Sequence, residues 1–390
     1  MKILLMADLV AKPDSGAAGT EYQTVIALRR LGHEVDTVWA DSLPHKISHG
    51  NLHYLVELPY AYRNVMFKRM EDARYDVVHV NQPHGYLAAK ALNARKERPV
   101  FVHRSHGLEL RVHRELAKWQ PKYRQDETRS WLKKQASRAV LLMLARHSKA
   151  VVKYADGHIV SASACSQFLI DEFGVPAKRI AVIPQAAPAL YLNHPLPPLT
   201  KKRLSRLLYV GQHAFFKAPM IVAAVINQIV KHDDEVRLTW VTSKFAHSQI
   251  NALLSETARN RVTLLDWMTQ EKLIDVYDKH GIFLFPSFFE GFGKVILEAM
   301  SRGLCVVAAN NSGATDIINH EKNGFLVPTG DIPQMTQMCV DVFKSFEKAQ
   351  SVSQHAASRA REYSWHRVAC ETVAFYESLM TMRSQCPDRY

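Results

Sequence analysis

The chain has 390 residues, 47% of them hydrophobic, and a formal net charge of +13. This length suffices for two domains with separate cores, and the basic balance permits nucleic acid or an anionic surface as a partner. The longest apolar run outside the expected strands, residues 139–145, is far shorter than the roughly 20 residues that a membrane span requires. Composition therefore favours a soluble two-domain protein.

The N-terminal segment and the cysteines bear on the compartment. Residues 1–7 form a short apolar run that ends at Asp8, which predicts a first strand and not a secretion signal. Five cysteines are scattered without C-x-x-C spacing, which argues for a reducing compartment and against structural zinc. We therefore expect a cytoplasmic protein.

Apolar strands alternate with helices along the chain, as is typical of an α/β protein with parallel sheets. A first series of strands is predicted at 2–7, 34–39, 76–80, 100–103, 157–161 and 180–183. A proline-rich stretch at 184–198 marks the domain boundary. The second series is predicted at 206–210, 237–242, 282–285 and 305–308.

This organisation predicts an N-terminal domain at 1–190, a C-terminal domain at 200–365 and a helix at 366–390. Ligands of open α/β sheets bind at the carboxyl ends of the strands. Two such domains that face each other would hold a ligand in the cleft between them.

Two turns of the first half carry candidate site residues. Gly19 follows the first strand, where it could serve the turn alone or let a ligand approach the backbone. The glycines there lack G-x-G-x-x-G spacing, which counts against a nicotinamide or flavin cofactor. His106 follows the strand at 100–103, where it could face a ligand or be satisfied by the backbone.

The segment 285–303 is the most informative part of the sequence. Its first residue ends a buried strand, and the apolar pattern from Lys294 predicts a buried helix that is capped at Gly303. Glu290 therefore lies on the strand-to-helix turn, and Glu298 lies inside the helix.

Glycines make this turn suitable for a ligand. Gly291 and Gly293 let the backbone pass close to a bound group, while the free amides of the first helical turn point outward. Glu298 could be a solvated helix residue. Its position between Leu297 and Ala299 instead suggests a hydrogen-bonded carboxylate, whose two oxygens suit the hydroxyls of a ribose.

This segment resembles the E-x7-E region of retaining glycosyltransferases of family 4, which have the GT-B fold. The surrounding chain is similar to the same family from about residue 207 to 331, and again at 363–365. By this resemblance, residues 323–328 are expected to form a turn. The resemblance implies two Rossmann-like domains that face each other across a cleft, with the C-terminal helix returning to the N-terminal domain.

The resemblance also implies roles for individual residues. Glu290 matches the glutamate that contacts the transferred sugar, Glu298 the one that holds the ribose, and Lys217 the lysine that neutralises the diphosphate. His106 matches the histidine that faces the sugar, while His79 and His84 could line the acceptor side. The catalytic residues would be Glu290 and His106, and the donor-binding residues Gly19, Gln212, Lys217, Gly291, Phe292, Gly293, Lys294 and Glu298.

The chain departs from the family pattern at four positions. Gln212 replaces an arginine, Ala218 and Ala18 replace glycines, and Asp316 stands where glutamate is frequent. Glutamine donates neutral hydrogen bonds without a charge, so the diphosphate would be held more weakly or differently. Lys294 could compensate or could be a solvated residue of the first helical turn.

The function implied by the resemblance is the transfer of a hexose, with retention of configuration, from a nucleotide diphosphate sugar to a glycan or lipid-linked acceptor. Such a reaction belongs to polysaccharide or glycolipid synthesis. The sequence has no D-x-D motif, and we expect neither a metal ion nor another cofactor. A non-catalytic nucleotide-sugar-binding protein is the alternative. We expect no nucleic-acid partner, because the aromatic and basic residues are not interleaved as in single-strand binders.

The stretch 111–149 holds eleven lysines and arginines against three acidic residues. Aromatic and leucine residues lie among them: Trp119, Tyr123, Trp131, Leu132, Leu141, Leu142 and Leu144. We hypothesise that this stretch meets an anionic surface, such as a membrane leaflet with a lipid-linked acceptor, which would make the protein peripheral to the membrane. The alternative is a solvated helical insert whose apolar residues pack on the domain.

Overall fold

The computed structural model describes residues 1–13, 16–123 and 131–385. The chain divides into two compact units. The first unit contains the described residues of Met1–Arg114, Arg124–Gln185 and Trp365–Tyr390. The second unit contains Glu115–Tyr123 and Ala186–Ser364.

Each unit contains a parallel sheet, and the described residues supply six strands to each. The first sheet has the order β2-β1-β3-β4-β5-β6, with β1 (Lys2–Met6), β2 (Glu34–Val38), β3 (Val77–Asn81), β4 (Val100–Ser105), β5 (Gly157–Val160) and β6 (Ile180–Val182). The second has the order β12-β11-β10-β7-β8-β9, with β7 (Arg206–Val210), β8 (Arg237–Val241), β9 (Val262–Leu265), β10 (Ile282–Phe285), β11 (Cys305–Ala309) and β12 (Phe325–Val327).

Helices connect the strands in both units. Up to β6 they are α1 (Ala17–Arg30), α2 (Gly50–Leu52), α3 (Leu58–Asp72), α4 (Tyr86–Asn93), α5 (Glu109–Tyr123), α6 (Trp131–Tyr154) and α7 (Ser163–Phe173). After β6 they are α8 (Ala189–Asn193), α9 (Lys201–Leu204), α10 (Pro219–Ile229), α11 (His247–Leu253), α12 (Glu256–Arg259), α13 (Gln270–Asp278), α14 (Lys294–Ser301), α15 (Ser312–Ile317), α16 (Ile332–Lys344), α17 (Phe346–Arg361) and α18 (Trp365–Gln385). Among the described helices, none carries an apolar stretch long enough to cross a bilayer.

The structure confirms the α/β class and the predicted strands. Their central members read as apolar runs because helices cover both faces of a parallel sheet, and every residue of β3, β4, β10 and β11 is buried. One prediction was wrong: Phe325–Val327, expected within a turn, forms the edge strand β12 beside β11. Three apolar residues near a turn signal were too few to indicate a strand.

The C-terminal helix α18 packs on α1 and β4 of the first unit, as the fold prediction required. Gly157, at the start of β5, makes this packing possible. A Cβ atom there would meet the Phe375 ring at 2.8 Å, closer than real side chains approach. The Arg383 guanidinium also donates hydrogen bonds to the carbonyls of Arg98 and Pro99.

Several histidines are buried within the first unit. His103 of β4 and His158 of β5 lie side by side, with 3.3 Å between their Nδ1 atoms. Burial lowers the pKa of His103 to about 3 and that of His79 to about 4. Burial also places the pKa of His158 well below its usual value. These rings are therefore neutral in the fold.

We predict that acid destabilises the protein from about pH 6.5 downward. The unfolded chain takes up protons near the ordinary histidine pKa of about 6.5, whereas the folded chain does not until about pH 4 or 3. Each such histidine costs about 1.4 kcal/mol per pH unit in that window. Burial raises the pKa of Glu109 to about 7, so the folded chain takes up this proton before the unfolded chain does. This uptake stabilises the fold as the pH falls and offsets the effect of one histidine.

Urea unfolding between pH 7 and 4.5 measures this dependence. His103→Gln should reduce its slope by about one proton, whereas His355→Gln, at an exposed position, should leave the slope unchanged. A free energy of unfolding that stays constant from pH 6.5 to 4.5 would contradict the prediction.

Candidate active site

The order of the second sheet creates a switch point between β7 and β10. The chain passes from β7 outward to β9 on one side, then returns to β10 on the other side. The loops that follow β7 and β10 therefore run in opposite directions and leave a crevice at their start, which is where open α/β sheets bind ligands.

The loop after β7 carries Lys217. Tyr209 of β7 donates a hydrogen bond to the Lys217 carbonyl (3.3 Å), which fixes the loop against its own strand. Ala218 then adopts the left-handed conformation, with φ 52° and ψ 52°, before α10 begins. This conformation costs an alanine roughly 1–2 kcal/mol, whereas a glycine adopts it readily.

The loop after β10 carries Glu290, whose Oε2 atom pairs with the Nζ atom of Lys217. The two side chains are only 18% and 17% exposed. The backbone N–H of Phe288 donates to the Phe216 carbonyl (2.8 Å) and joins the two loops a second time. Gly293, with φ 92°, ends the loop in a conformation that favours glycine, and α14 begins at the next residue.

Glu298 lies in α14 and is buried, at 4% exposure. Tyr277 donates a hydrogen bond to its Oε2 atom (3.2 Å), and the Lys294 ammonium lies 3.9 Å from Oε1. Burial raises the pKa of the Glu298 carboxyl, while Lys294 and Tyr277 act in the opposite direction. Glu298 is thus a buried carboxyl with partners. Lys294 is not a solvated residue, because its side chain is only 10% exposed and its ammonium group faces Glu298 in the next helical turn.

The loop after β11 closes on the Glu290 loop. Asn311 donates its side-chain amide to the Ser287 carbonyl. Gly313 lies so close to the Phe292 backbone that a Cβ atom would overlap the Phe292 carbonyl. The Phe292 ring is 1% exposed and packs against Tyr363, so this residue offers only its backbone to a ligand.

Buried polar atoms collect at the strand ends of this sheet. The Oγ atom of Ser287, the Oδ1 atom of Asn311 and the Oγ1 atom of Thr242 are buried and have no hydrogen-bond partner among the described residues. Such atoms are rare in folded proteins because each one costs desolvation energy. Their position after β10, β11 and β8 is consistent with a polar ligand at this edge of the sheet.

Aromatic residues of α5 support the Glu290 loop. Nothing in the sequence indicated this contact. Trp119 stacks on Phe288 with 5.0 Å between ring centroids and 9° between planes, and Tyr123 lies 5.2 Å from the same ring. Tyr123 also donates to the Gly330 carbonyl (3.2 Å). These two partly buried side chains thus hold the Glu290 loop from within the second unit.

The first unit has its own buried polar cluster around Glu21 of α1, which is fully buried. His106 lies 2.9 Å from Glu21 Oε1, and the Arg104 Nε atom lies 3.6 Å from the same oxygen. Although burial alone raises the pKa of Glu21, Arg104 and the hydrogen bond from His106 lower it to about 2. Tyr376 of α18 completes the cluster by a hydrogen bond to His79.

The structure thus brings Lys217, Glu290 and the 291–293 backbone together, with Glu298 and Lys294 on the adjoining helix. Gln212 is exposed at the start of the Lys217 loop. Gly19 belongs to the first unit, where a Cβ atom would meet the Pro13 carbonyl at 2.6 Å. The predicted contacts of Gly19 and His106 with a donor stay predictions.

Among the described residues, no group of three or more histidine, cysteine, aspartate or glutamate side chains is arranged to hold a metal ion. The expectation that no metal takes part in the reaction stays a prediction.

The sequence matches the profiles of two families of known proteins. Residues 15–187 match Glycosyltransferase Family 4, and residues 205–345 match Glycosyl transferases group 1. Spore coat protein SA of Bacillus subtilis is 24% identical over 181 residues, which cover 44% of this chain and 48% of that protein. The chain spans about half the length of the curated relatives it matches.

Solved structures share the fold over nearly the whole chain. Sucrose-phosphate synthase from Thermosynechococcus elongatus superimposes with a TM-score of 0.76 at 19% identity, covering 98% of this chain and 100% of that one. HepE of Anabaena, in complex with UDP and glucose, superimposes with a TM-score of 0.68 at 17% identity, covering 97% and 100%.

The fold and the family profiles together define a glycosyltransferase of the GT-B type. The chain belongs to this class, since its residues 15–187 and 205–345 each match a glycosyltransferase family.

We predict that Gly313→Ala lowers the free energy of unfolding by about 1–3 kcal/mol or more, because the added methyl would force α15 away from the Phe292 carbonyl. Urea denaturation measures the change. Gly50→Ala is the matched control, since a Cβ atom there has no neighbour within 4 Å. Equal stability of Gly313→Ala and the parent would show that this contact is not tight.

Proposed function

We propose that this glycosyltransferase moves a hexose from a nucleotide diphosphate sugar to an acceptor hydroxyl, with retention of configuration and without a metal ion. The observation that carries the proposal is the Lys217–Glu290 ion pair at the switch point of the second sheet. A cation and a carboxylate there match the two charges of the reaction, the diphosphate and the sugar carbon that becomes positive.

Lys217 is the group that we assign to the diphosphate. A bound diphosphate would compete with Glu290 for the ammonium and would release the carboxylate toward the sugar. Gln212 adds neutral hydrogen-bond donors in place of the family arginine, so Lys217, backbone amides and the N-terminus of α14 must hold most of the leaving-group charge.

Glu298 is assigned to the ribose. Tyr277 occupies one of its oxygens and Lys294 lies 3.9 Å from the other, while a carboxylate offers about four acceptor positions in total. Acceptor capacity therefore remains for two hydroxyl groups. HepE was crystallised with UDP and glucose, so uridine nucleotides are the first donors to test.

In the proposed reaction the bond from the anomeric carbon to the diphosphate oxygen breaks, and the acceptor oxygen bonds to that carbon on the same face. The acceptor proton passes to an oxygen of the departing phosphate, which leaves a nucleoside diphosphate and a glycoside. Glu290 stabilises the positive charge that develops on the sugar.

A non-catalytic nucleotide-sugar-binding protein is the second candidate, and the missing arginine at Gln212 is the feature that favours it. Turnover separates the two functions. Release of UDP from UDP-glucose, or from another donor found by a thermal-shift panel, would exclude the binding protein.

We predict that Glu290→Gln and Glu298→Ala affect different kinetic constants. Glu290→Gln should lower kcat by about 10²–10³-fold with little change in the donor KM, because its interaction strengthens in the transition state. Glu298→Ala should weaken UDP binding by about 1.5–3 kcal/mol, the usual value of a hydrogen bond to a charged group. UDP release and UDP calorimetry give the two readouts.

Glu235→Gln is the matched control in an exposed turn, and it should change neither constant. An equal loss of kcat and donor affinity in Glu290→Gln would make Glu290 a ground-state contact. Unchanged UDP binding in Glu298→Ala would contradict the ribose assignment.

We also propose that α6 meets an anionic membrane surface. Its described part exposes Leu141, Leu142 and Met143, at 37%, 65% and 38%, next to the exposed Arg146 and Lys149. An exposed apolar strip with cations beside it is complementary to an anionic leaflet. Residues 124–130, also in the hypothesised stretch, lie outside the described residues.

We predict that the protein co-sediments with vesicles containing phosphatidylserine at low salt, less so as salt rises, and not with pure phosphatidylcholine vesicles. Arg146→Glu with Lys149→Glu should reduce binding at least tenfold, since each cation contributes about 1 kcal/mol at such a surface. Lys231→Glu with Lys322→Glu, an equal charge change at exposed positions of the second unit, is the control. Absence of binding at low salt would refute the proposal.

A further inference from the structure

The first sheet also has a switch point, between β1 and β3, and a pocket opens there within the first unit. Its volume is about 360 Å³, within the usual range for a small-molecule site. The lining residues come from the ends of β1, β3 and β4, from the segment before α3, and from α6: Asp8, Leu9, Asn51, Tyr54, Leu55, Gln82, His84, Glu109, Val140 and Leu144.

The inner side of this pocket presents hydrogen-bond acceptors. His84 is 9% exposed and bonds to the Tyr54 backbone, while its Nδ1 atom is buried and has no partner among the described residues. The Oε1 atom of Gln82 is also buried and has no hydrogen-bond partner among the described residues. A ligand that satisfies these atoms must bring O–H or N–H donors.

The backbone beside the pocket is strained. Gln82 has φ 71° and Leu108, which precedes Glu109, has φ 50°, although neither is a glycine. Such conformations cost about 1–3 kcal/mol each and occur mainly where a site requires them. Both strained residues lie where the loops after β3 and β4 begin to line the pocket.

The pocket lacks cations. Among its described lining residues none is a lysine or an arginine. Burial lowers the pKa of His84 to about 4 and raises those of Asp8 and Glu109, the latter to about 7. The lining thus has no group to neutralise a phosphate or carboxylate, and it favours an uncharged ligand.

The outer side is apolar and continues onto the surface. Tyr54 stacks on His84 at 5.5 Å, and Leu55, Val140 and Leu144 form the wall. Beside these lining residues in the chain are four exposed apolar side chains: Val10 (59%), Leu52 (50%), Val56 (42%) and Leu141 (37%). The segments that line the pocket thus also present apolar side chains to the solvent.

We infer that this pocket binds an amphiphilic acceptor, an uncharged hydroxyl-bearing head group attached to a hydrocarbon or aromatic aglycone. The head group donates hydrogen bonds to His84 and Gln82, and the aglycone lies along Tyr54, Val140 and Leu144. The inference rests on the proposed function, because it names the acceptor class of that reaction.

Calorimetric binding of methyl, hexyl and octyl β-D-glucopyranoside, each below its micellar concentration, tests the pocket. Affinity should rise with chain length, up to about fourfold for each methylene that the wall covers. Leu144→Asp should weaken octyl glucoside at least tenfold and abolish this dependence. His84→Gln should weaken all three glucosides by a similar factor and leave the dependence intact.

Val182→Asp, which changes a 39% exposed residue of the same unit outside the pocket lining, should bind like the parent. Affinity that is independent of chain length, or tighter binding of glucose 6-phosphate than of octyl glucoside, would overturn the inference. A UDP thermal shift on each variant tests the donor separately. Glucosides that bind as expected to a protein that binds no nucleotide would overturn the proposed function and the acceptor assignment, but not the amphiphile site.

Discussion

The Lys217–Glu290 pair is the interaction on which the second unit's site depends. It joins the loops that follow β7 and β10, and both side chains are more than four-fifths buried. A pair this far from water gains little net stability, because desolvation offsets most of its Coulomb energy. Removal of either partner would leave an uncompensated charge. The pair therefore does more to place a cation and an anion side by side at the switch point than to stabilise the fold.

The surrounding contacts hold the two loops in the positions that this pair needs. Phe288 bonds to the neighbouring loop through its backbone and is stacked by Trp119 through its ring. On the far side Gly313 lets α15 approach the Phe292 carbonyl. A loop that is fixed by an aromatic ring, a backbone hydrogen bond and a close glycine contact can present its amides without reorganisation, which electrostatic catalysis requires.

The first unit has a different arrangement of charges at the equivalent edge of its sheet. There a single carboxylate, Glu21, is surrounded by Arg104, His106 and His79, and all of these groups are largely removed from water. One guanidinium balances one carboxylate, and burial lowers the pKa of His79 to about 4, so His79 stays neutral. The adjoining pocket is likewise without cations among its described lining. The two units thus offer contrasting environments, one with a cation for a charged donor and one that suits an uncharged group.

Local pattern in the sequence determined most of the strands, the α/β class and the turn that carries Glu290. It did so because buried parallel strands are continuous apolar runs and because a helix that starts after Gly293 requires a glycine conformation there. Glu298 was singled out as a carboxylate that needs a partner, yet the partner Tyr277 lies on another helix.

Only the tertiary structure decided which side chains meet. Trp119 is distant in sequence from Phe288, and its neighbours Lys118 and Lys122 made it resemble part of a basic surface. Glu21 and His106 lie far apart in the chain, and Tyr376 joins them from α18, the last helix of the chain. Periodicity reports how each element faces the core, but these contacts join elements separated by whole strands and helices. Their partners follow from sheet order and crossover, which are global properties of the fold.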